Sequence, residues 1–255
     1  MIPDRLGEEI VGMLYDSGMI KIFPKDNRDG WMLHSGVWSP FYIQMRPIFS
    51  TKDSKRFMDV IGDAMAHLIE DGGRSSKLVG VASAGVPISV IASYKSEIPF
   101  CYTRRVGEFR THEQFRHYLE GIERCGDPGI GYGEHSFLEG HLEDGDDLIL
   151  IDDLITSGES KLIAKEIVEY EARKQGKEVR VGTVAVVVDR EQGGTGRLAK
   201  HGLRVRSLVP FASKGISWLE DRLGEGEFAL ITDYLRDNTR YQDPAYRERA
   251  LREWG

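Results

Sequence analysis

The sequence predicts an α/β protein, a mostly parallel sheet flanked by helices. Three observations carry that expectation. Short runs rich in β-branched, aliphatic or aromatic residues recur at 78–82, 99–103, 148–151, 179–189 and 203–209 and suit strands, those at 78–82 and 148–151 buried ones. Stretches between them return apolar residues every three or four positions, the period of a helix face. The runs end in glycine, hydroxyl or charged turns, and strand–helix alternation of this kind gives a parallel sheet.

Size and charge narrow the function classes. The 255 residues are enough for one large or two small domains and for a substantial core, and a single domain over 1–255 is expected. Thirty-four basic against 41 acidic residues leave a formal charge of −7, which argues against a general nucleic-acid or anionic-membrane binder. No apolar run approaches the ~20 residues of a membrane span, and Met1-Ile2-Pro3-Asp4-Arg5 has no apolar signal region. Cys101 and Cys125 lack a C-x-x-C spacing, so neither a disulfide framework nor a zinc site is expected. The expected setting is the cytoplasm.

In chain order, Leu6, Ile10 and Leu14 predict a helix stopped near Gly18. Polar loop follows over 23–29. The segment 32–46 alternates and is rich in aromatics, with Ser35-Gly36 and Ser39-Pro40 as turn punctuation, so a hairpin is expected. Thr51 is placed to cap a second helix burying Phe57, Val60, Ile61, Ala64 and Leu68. After the strand at 78–82 come Ala84 and Gly85, with Pro87 in the first turn of a helix. Gly80 and Gly85 have the spacing of a P-loop, but Val-Pro stands where Lys-Ser/Thr is required. What remains is either a plain βα turn or a glycine loop able to meet a diphosphate through backbone N–H groups.

The next strand ends in Arg104 and Arg105. Residues 106–145 are then polar and glycine-broken, a length that is usually functional or disordered, with a short helix expected over 113–123. Helices are also expected after 161, around Ile216, Leu219 and Leu223 with Ser213 as cap, and over 228–235. The tail 237–255 looks too charged to add much core.

The densest signal lies at 148–161, Leu-Ile-Leu-Ile-Asp-Asp-Leu-Ile-Thr-Ser-Gly-Glu-Ser-Lys. A buried strand leads to Asp152 and Asp153, then through Leu154 and Ile155 to Thr156, Ser157, Gly158, Glu159 and Ser160, and into a helix. Hydroxyls and N–H groups at a helix N-terminus suit a phosphate, and adjacent carboxylates suit sugar hydroxyls. An ordinary capped βα turn is the plain alternative. In parallel sheets ligands sit beyond the carboxyl ends of the strands, which is where Gly85, Arg104, Arg105, this loop and Arg190 are all expected.

This stretch resembles the signature of the type I phosphoribosyltransferases, which bind 5-phosphoribosyl 1-diphosphate (PRPP). Ser35-Gly36-x-x-Ser39-Pro40-Phe41-Tyr42, Phe100-Cys101-Tyr102-x-Arg104-Arg105 and Asp189-Arg190 extend the likeness, over roughly residues 6–235, to the orotate phosphoribosyltransferases. The resemblance implies transfer of the phosphoribosyl group to orotate, giving orotidine 5′-phosphate and diphosphate for pyrimidine synthesis. It implies Mg²⁺ held by PRPP and water near the acids rather than by side chains alone, and a homodimer sharing loop residues. It also implies a small N-terminal hood formed with the first helix over 1–50, and it implies roles. Asp152 and Asp153 engage the ribose hydroxyls. Residues 154–160, Ala84, Gly85 and His34 complete the PRPP site. Arg104 and Arg105 act on the diphosphate. Arg190 pairs with the orotate carboxylate, aided by Thr156, Phe41 and Tyr42, although the two aromatics are equally core residues of a hairpin.

Four departures accompany the likeness. His34 and Ala84 stand where relatives carry lysine. Glu159 brings a carboxylate into the phosphate loop, where it must turn away or repel. A longer segment, 104–145, replaces a short mobile catalytic loop; Arg110 and His112, or Arg116 and His117, or His135, are the candidates for its missing Lys and His. The rival readings are a non-catalytic PRPP-binding regulatory protein and a purine or uracil transferase.

Overall fold

The structure, a computed structural model, describes residues 3–33, 36–73, 75–107, 109–125 and 136–254. The chain, expected as one domain, divides into two compact units: Ile61–Leu208, and Ile2–Val60 together with Val209–Gly255.

The second unit opens with helix α1 (Asp4–Asp16), which buries Ile10, Val11 and Leu14 as the four-residue spacing predicts. Strands β1 (Ile20–Ile22), β2 (Trp31–Met32), β3 (Trp38–Ser39) and β4 (Phe41–Ile43) follow. The hairpin expected over 32–46 is split. Strand β2 pairs with β3, whereas β4 pairs back, antiparallel, to β1 with Ile20 opposite Ile43. Pro40 is the cause, because it has no N–H to extend a ladder; its carbonyl instead accepts from Phe23 N at 2.8 Å. Helix α2 (Ser54–Glu70) buries Phe57, Ile61, Ala64 and Leu68, with Val60 half-buried. Thr51 does not cap it: the Thr51 hydroxyl donates to the Ile48 carbonyl at 3.4 Å, a turn before the helix begins.

The other unit contains a sheet built from β5 (Lys77–Gly80), β6 (Phe100–Thr103), β7 (Leu138–Glu139), β8 (Asp147–Ile155), β9 (Arg180–Asp189) and β10 (Arg204–Pro210), in the order β10-β9-β8-β5-β6-β7. Strand β5 runs parallel to β6 and β8, β8 runs parallel to β9, and the short β7 is antiparallel to β6. The connecting helices are α3 (Gly85–Ser96), α4 (His112–Cys125), α5 (Glu159–Lys174) and α6 (Gly194–Lys200). Val79, Leu148, Leu150, Val184 and Val186 are fully buried, so the near-continuous apolar runs mark central strands. Strand β8 does not stop at Ile151. Pairing with β9 carries it through Asp152, opposite Val186, to Ile155, opposite Asp189. Within 104–145 the described part is folded: α4 buries Phe115, Leu119 and Ile122 in the same core as β8 and α5, and Phe115 sits 5.3 Å from Phe109 and 6.4 Å from Phe137, ring to ring. The short helix expected over 113–123 is α4, and the long mobile loop expected over 104–145 is corrected for this part, because an apolar face repeating every three to four residues found a core to join.

Beyond β10 the chain returns to the unit opened by α1. The helix expected after Ser213 is a π turn, Phe211–Gly215, followed by a 3₁₀ turn, Ser217–Arg222. Helix α7 (Glu225–Arg236) and helix α8 (Pro244–Trp254) complete the fold. The tail adds more core than its charge suggests. Tyr241 is fully buried, stacks on Trp38 at 6.0 Å, and donates its hydroxyl to Asp233 at 2.8 Å. Among the described residues no helix is long and apolar enough to cross a membrane.

Candidate active site

The loop between β8 and α5 is held in shape from below. Gly158 has φ +83°, a left-handed conformation that costs glycine little, and it seats against Leu198. Thr156 and Ser157 are half-buried and Ser160 is exposed. The loop leads into the N-terminus of α5, the positive end of the helix dipole, where Lys161 N donates to Gly158 O at 3.1 Å, and a helix end of this kind suits an anion.

The two acids differ. Asp152 is buried, and its Oδ1 accepts from Asp153 N at 2.9 Å while its Oδ2 accepts from Lys161 Nζ at 2.6 Å. Asp153 is half-buried, and its Oδ1 accepts from Leu154 N at 2.7 Å. Burial, with the neighbouring Asp152 carboxylate adding to it, pushes the Asp153 carboxyl up to about 7.

Two more strand ends meet this one. Val81 N donates to Ile151 O at 2.9 Å, and the turn that follows contains a cis Ala82–Ser83 peptide and leads into α3. Gly85 is required here: a Cβ would lie 2.2 Å from Ile151 O and 3.0 Å from Asp152 Cα. On the other side Arg190 N donates to Ile155 O at 3.1 Å, and the Arg190 side chain is 3% exposed. Asp189 shapes that turn, accepting from Glu191 N at 2.7 Å and from the Thr195 hydroxyl at 2.6 Å. The glycine turn, the acidic pair, the hydroxyl loop and Arg190 therefore share one edge of the sheet, as the sequence predicts.

A family model of the phosphoribosyl transferase domain matches residues 50–221. The chain belongs to that family. Orotate phosphoribosyltransferase of Methanocella arvoryzae is 30% identical over 79% of this chain and 93% of its own length. The enzyme of that name from Sulfolobus acidocaldarius is also 30% identical, over 82% and 89%. Among solved structures, orotate phosphoribosyltransferase from Aeropyrum pernix has a TM-score of 0.57 at 26% identity, covering 84% of this chain and 97% of that one. UMP synthase of Leishmania donovani shares the fold, with a TM-score of 0.66 at 21% identity; the match covers 90% of this chain and 42% of that one.

In this phosphoribosyltransferase Glu159 does not aim its charge into the loop unopposed. One oxygen pairs with Arg197, and the other accepts from His112 N at 2.8 Å, so the carboxylate caps the N-terminus of α4. His112 is correspondingly withdrawn. It is 5% exposed, its ring lies 5.0 Å from that of His201, and its Nδ1 has no hydrogen-bond partner among the described residues. The expectation that His112 supplies a catalytic loop imidazole is corrected: helix α4 has buried it. Arg110 is exposed, Arg116 approaches Glu166 at 3.9 Å and His117 approaches Glu120 at 3.5 Å. Arg104 and Arg105 are exposed at the end of β6, and Arg104 pairs with Glu139 at 3.5 Å.

Phe41 is also corrected. It is fully buried in the second unit, 5.1 Å from Phe211 and 5.9 Å from Tyr234, and is a core residue. Strand alternation turns Tyr42 the other way, half-buried and stacked 6.2 Å from Trp31. His34 and His135 lie outside the described residues. Lys161 and Arg197 are the polar side chains that sequence reading missed. A lysine beginning an apolar helix face carries no local sign of what it will meet. No group of three or more His, Cys, Asp or Glu side chains able to hold a metal occurs among the described residues.

Proposed function

We propose that this phosphoribosyltransferase moves the 5-phosphoribosyl group of PRPP onto a ring nitrogen of orotate, giving orotidine 5′-phosphate and diphosphate, a step of pyrimidine synthesis. One observation carries the reading. The acidic pair and hydroxyl loop that suit ribose 5-phosphate adjoin a buried arginine, Arg190, whose backbone is bonded to the loop's first strand at Ile155. A guanidinium fork suits a planar carboxylate such as that of orotate. The names of the 30%-identical relatives support the same base.

In this reading Thr156, Ser157, the amides of 158–160 and the α5 dipole hold the 5′-phosphate. Asp153, with Asp152 behind it, meets the ribose hydroxyls. Departure of diphosphate leaves an oxocarbenium-like sugar, so the protein's work is positioning, stabilising the leaving group and keeping water out. The amides of Ala84 and Gly85 and the cations of Arg104 and Arg105 serve the diphosphate. The donor chemistry fits Mg²⁺: hard carboxylate oxygens stand at the sugar end without an all-protein cage, which suits an ion that keeps its waters. Asp152 and Asp153 are the residues that would stand nearest such an ion, held through PRPP and water, and it would supply positive charge to the diphosphate. We further propose a cytoplasmic homodimer, the setting read from the cysteine pattern and the assembly implied by the resemblance.

The test is diphosphate release from PRPP, Mg²⁺ and a panel of orotate, uracil, adenine and hypoxanthine, with product mass. Transfer to orotate is expected. Preference for another base would move the protein to a sister activity, and PRPP binding without turnover on any base would make it a sensor.

A further inference from the structure

The two carboxylates at the sugar end are made unequal by a third residue. Lys161, one turn into α5, has a side chain only 4% exposed. Its Nζ donates to Asp152 Oδ2 at 2.6 Å, to Ser160 Oγ at 3.2 Å and to the Leu154 carbonyl. Three acceptors match the three N–H bonds of an ammonium. Burying such a charge costs several kcal/mol of desolvation, offset only when pairing and hydrogen bonding are this complete. The bonds also reach from the end of β8 to the start of α5, so they bridge the two sides of the phosphate loop.

The consequence falls on the acids. Both oxygens of Asp152 already accept internal donors, Asp153 N and Lys161 Nζ. Asp153 Oδ1 accepts from Leu154 N, and its carboxyl lies within hydrogen-bonding reach of the Asp152 carboxyl, while among the described residues no N–H donates to Asp153 Oδ2. We propose that Lys161 is a positioning residue: it locks Asp152 and the Leu154 carbonyl as the floor of the loop and leaves Asp153 Oδ2 as the carboxylate oxygen that takes a ribose hydroxyl. This inference rests on the PRPP reading above and divides the labour between two residues that the motif presents as a pair.

Calorimetry with ribose 5-phosphate and with inorganic phosphate tests it on the full chain. Wild type should bind the sugar phosphate more tightly than phosphate; if it does not, the PRPP reading itself fails. Asp153→Asn should weaken ribose 5-phosphate by about 10–100-fold, the loss of one hydrogen bond to a charged group, with phosphate changed less than about threefold. Lys161→Met should also weaken the sugar phosphate selectively, and Lys161→Gln, one bond shorter but still carrying N–H donors toward Asp152, should recover part of the loss. Lys161→Met weakening both ligands equally, or neither, would overturn the positioning role. Should Lys161→Met fail to fold, the Gln variant and the acids decide: Asp152→Asn matching Asp153→Asn in its selective loss would refute the division.

Discussion

Glu159 places a carboxylate in the loop proposed to hold the 5′-phosphate, and the structure predicts what its removal does. Two perturbations separate the possibilities, Glu159→Gln and Glu159→Ala. An unopposed carboxylate about 4 Å from a phosphate charge, at an effective dielectric near 20, would repel it by about 4 kcal/mol. Relieving that repulsion would tighten PRPP by roughly a thousandfold, at about 1.4 kcal/mol per decade. In the structure both oxygens are engaged, one by Arg197 and the other by His112 N at 2.8 Å. The charge is already countered, so Glu159→Gln should change PRPP affinity by less than about threefold, a shift of under ~1 kcal/mol.

The main effect should be on folding instead. Losing a helix cap costs about 0.5–2 kcal/mol, and a partly exposed ion pair adds about 0.2–1 kcal/mol. Glu159→Ala should therefore cost about 2 kcal/mol and, for a chain of this size, lower Tm by about 4–8 °C. Glu159→Gln keeps an acceptor for His112 N and should lose about half of that. Amide hydrogen exchange should speed up first at the start of α4. Calorimetric titration with PRPP and a thermal scan of the three proteins measure both effects. A hundredfold gain in PRPP affinity with unchanged Tm would refute the reasoning, because it would mean the carboxylate faces the ligand.

The pH dependence follows from Asp153, which is pushed up to about 7 by burial and by Asp152. A folded value above the unfolded one means that this group contributes stability at low pH that is lost as pH rises through about 7. The ionised form that accepts sugar hydroxyls grows in over the same interval. PRPP kcat/KM should thus rise through about pH 7 while Asp153 adds less to stability, and Asp153→Asn should flatten both profiles; a wild-type rate indifferent to pH there would contradict this. Gly85→Ala must push α3 off β8, since its Cβ would lie 2.2 Å from Ile151 O. A loss of about 1–3 kcal/mol in urea unfolding is expected, with a raised PRPP KM, and wild-type behaviour would sink the close-approach argument. Arg190→Ala should raise the orotate KM by about 10–100-fold and leave the PRPP KM nearly unchanged; parallel rises would remove Arg190 as the carboxylate anchor.

What the sequence determined by itself was everything that repeats locally. The apolar runs at 78–82 and 148–151 read as central strands, the four-residue spacing of Leu6, Ile10 and Leu14 read as α1, and the acid–hydroxyl–glycine order at 152–158 read as a strand-to-helix turn. Each follows from a period of two or 3.6 residues, or from backbone groups within a few positions, so neighbours in sequence suffice. The tertiary structure alone decided which distant group each polar side chain meets. Glu159 finds His112 N across 47 residues of sequence, and the same contact withdraws His112 from the solvent. The pairing of β4 with β1 rather than with β3 sent Phe41 into an aromatic core completed by Phe211 and Tyr234. Lys161 reads as an ordinary helix-face lysine until β8, extended by its pairing with β9, carries Asp152 to its ammonium. Long charged side chains choose partners by where the fold brings opposite charge and spare hydrogen-bonding groups, and no periodicity records that choice.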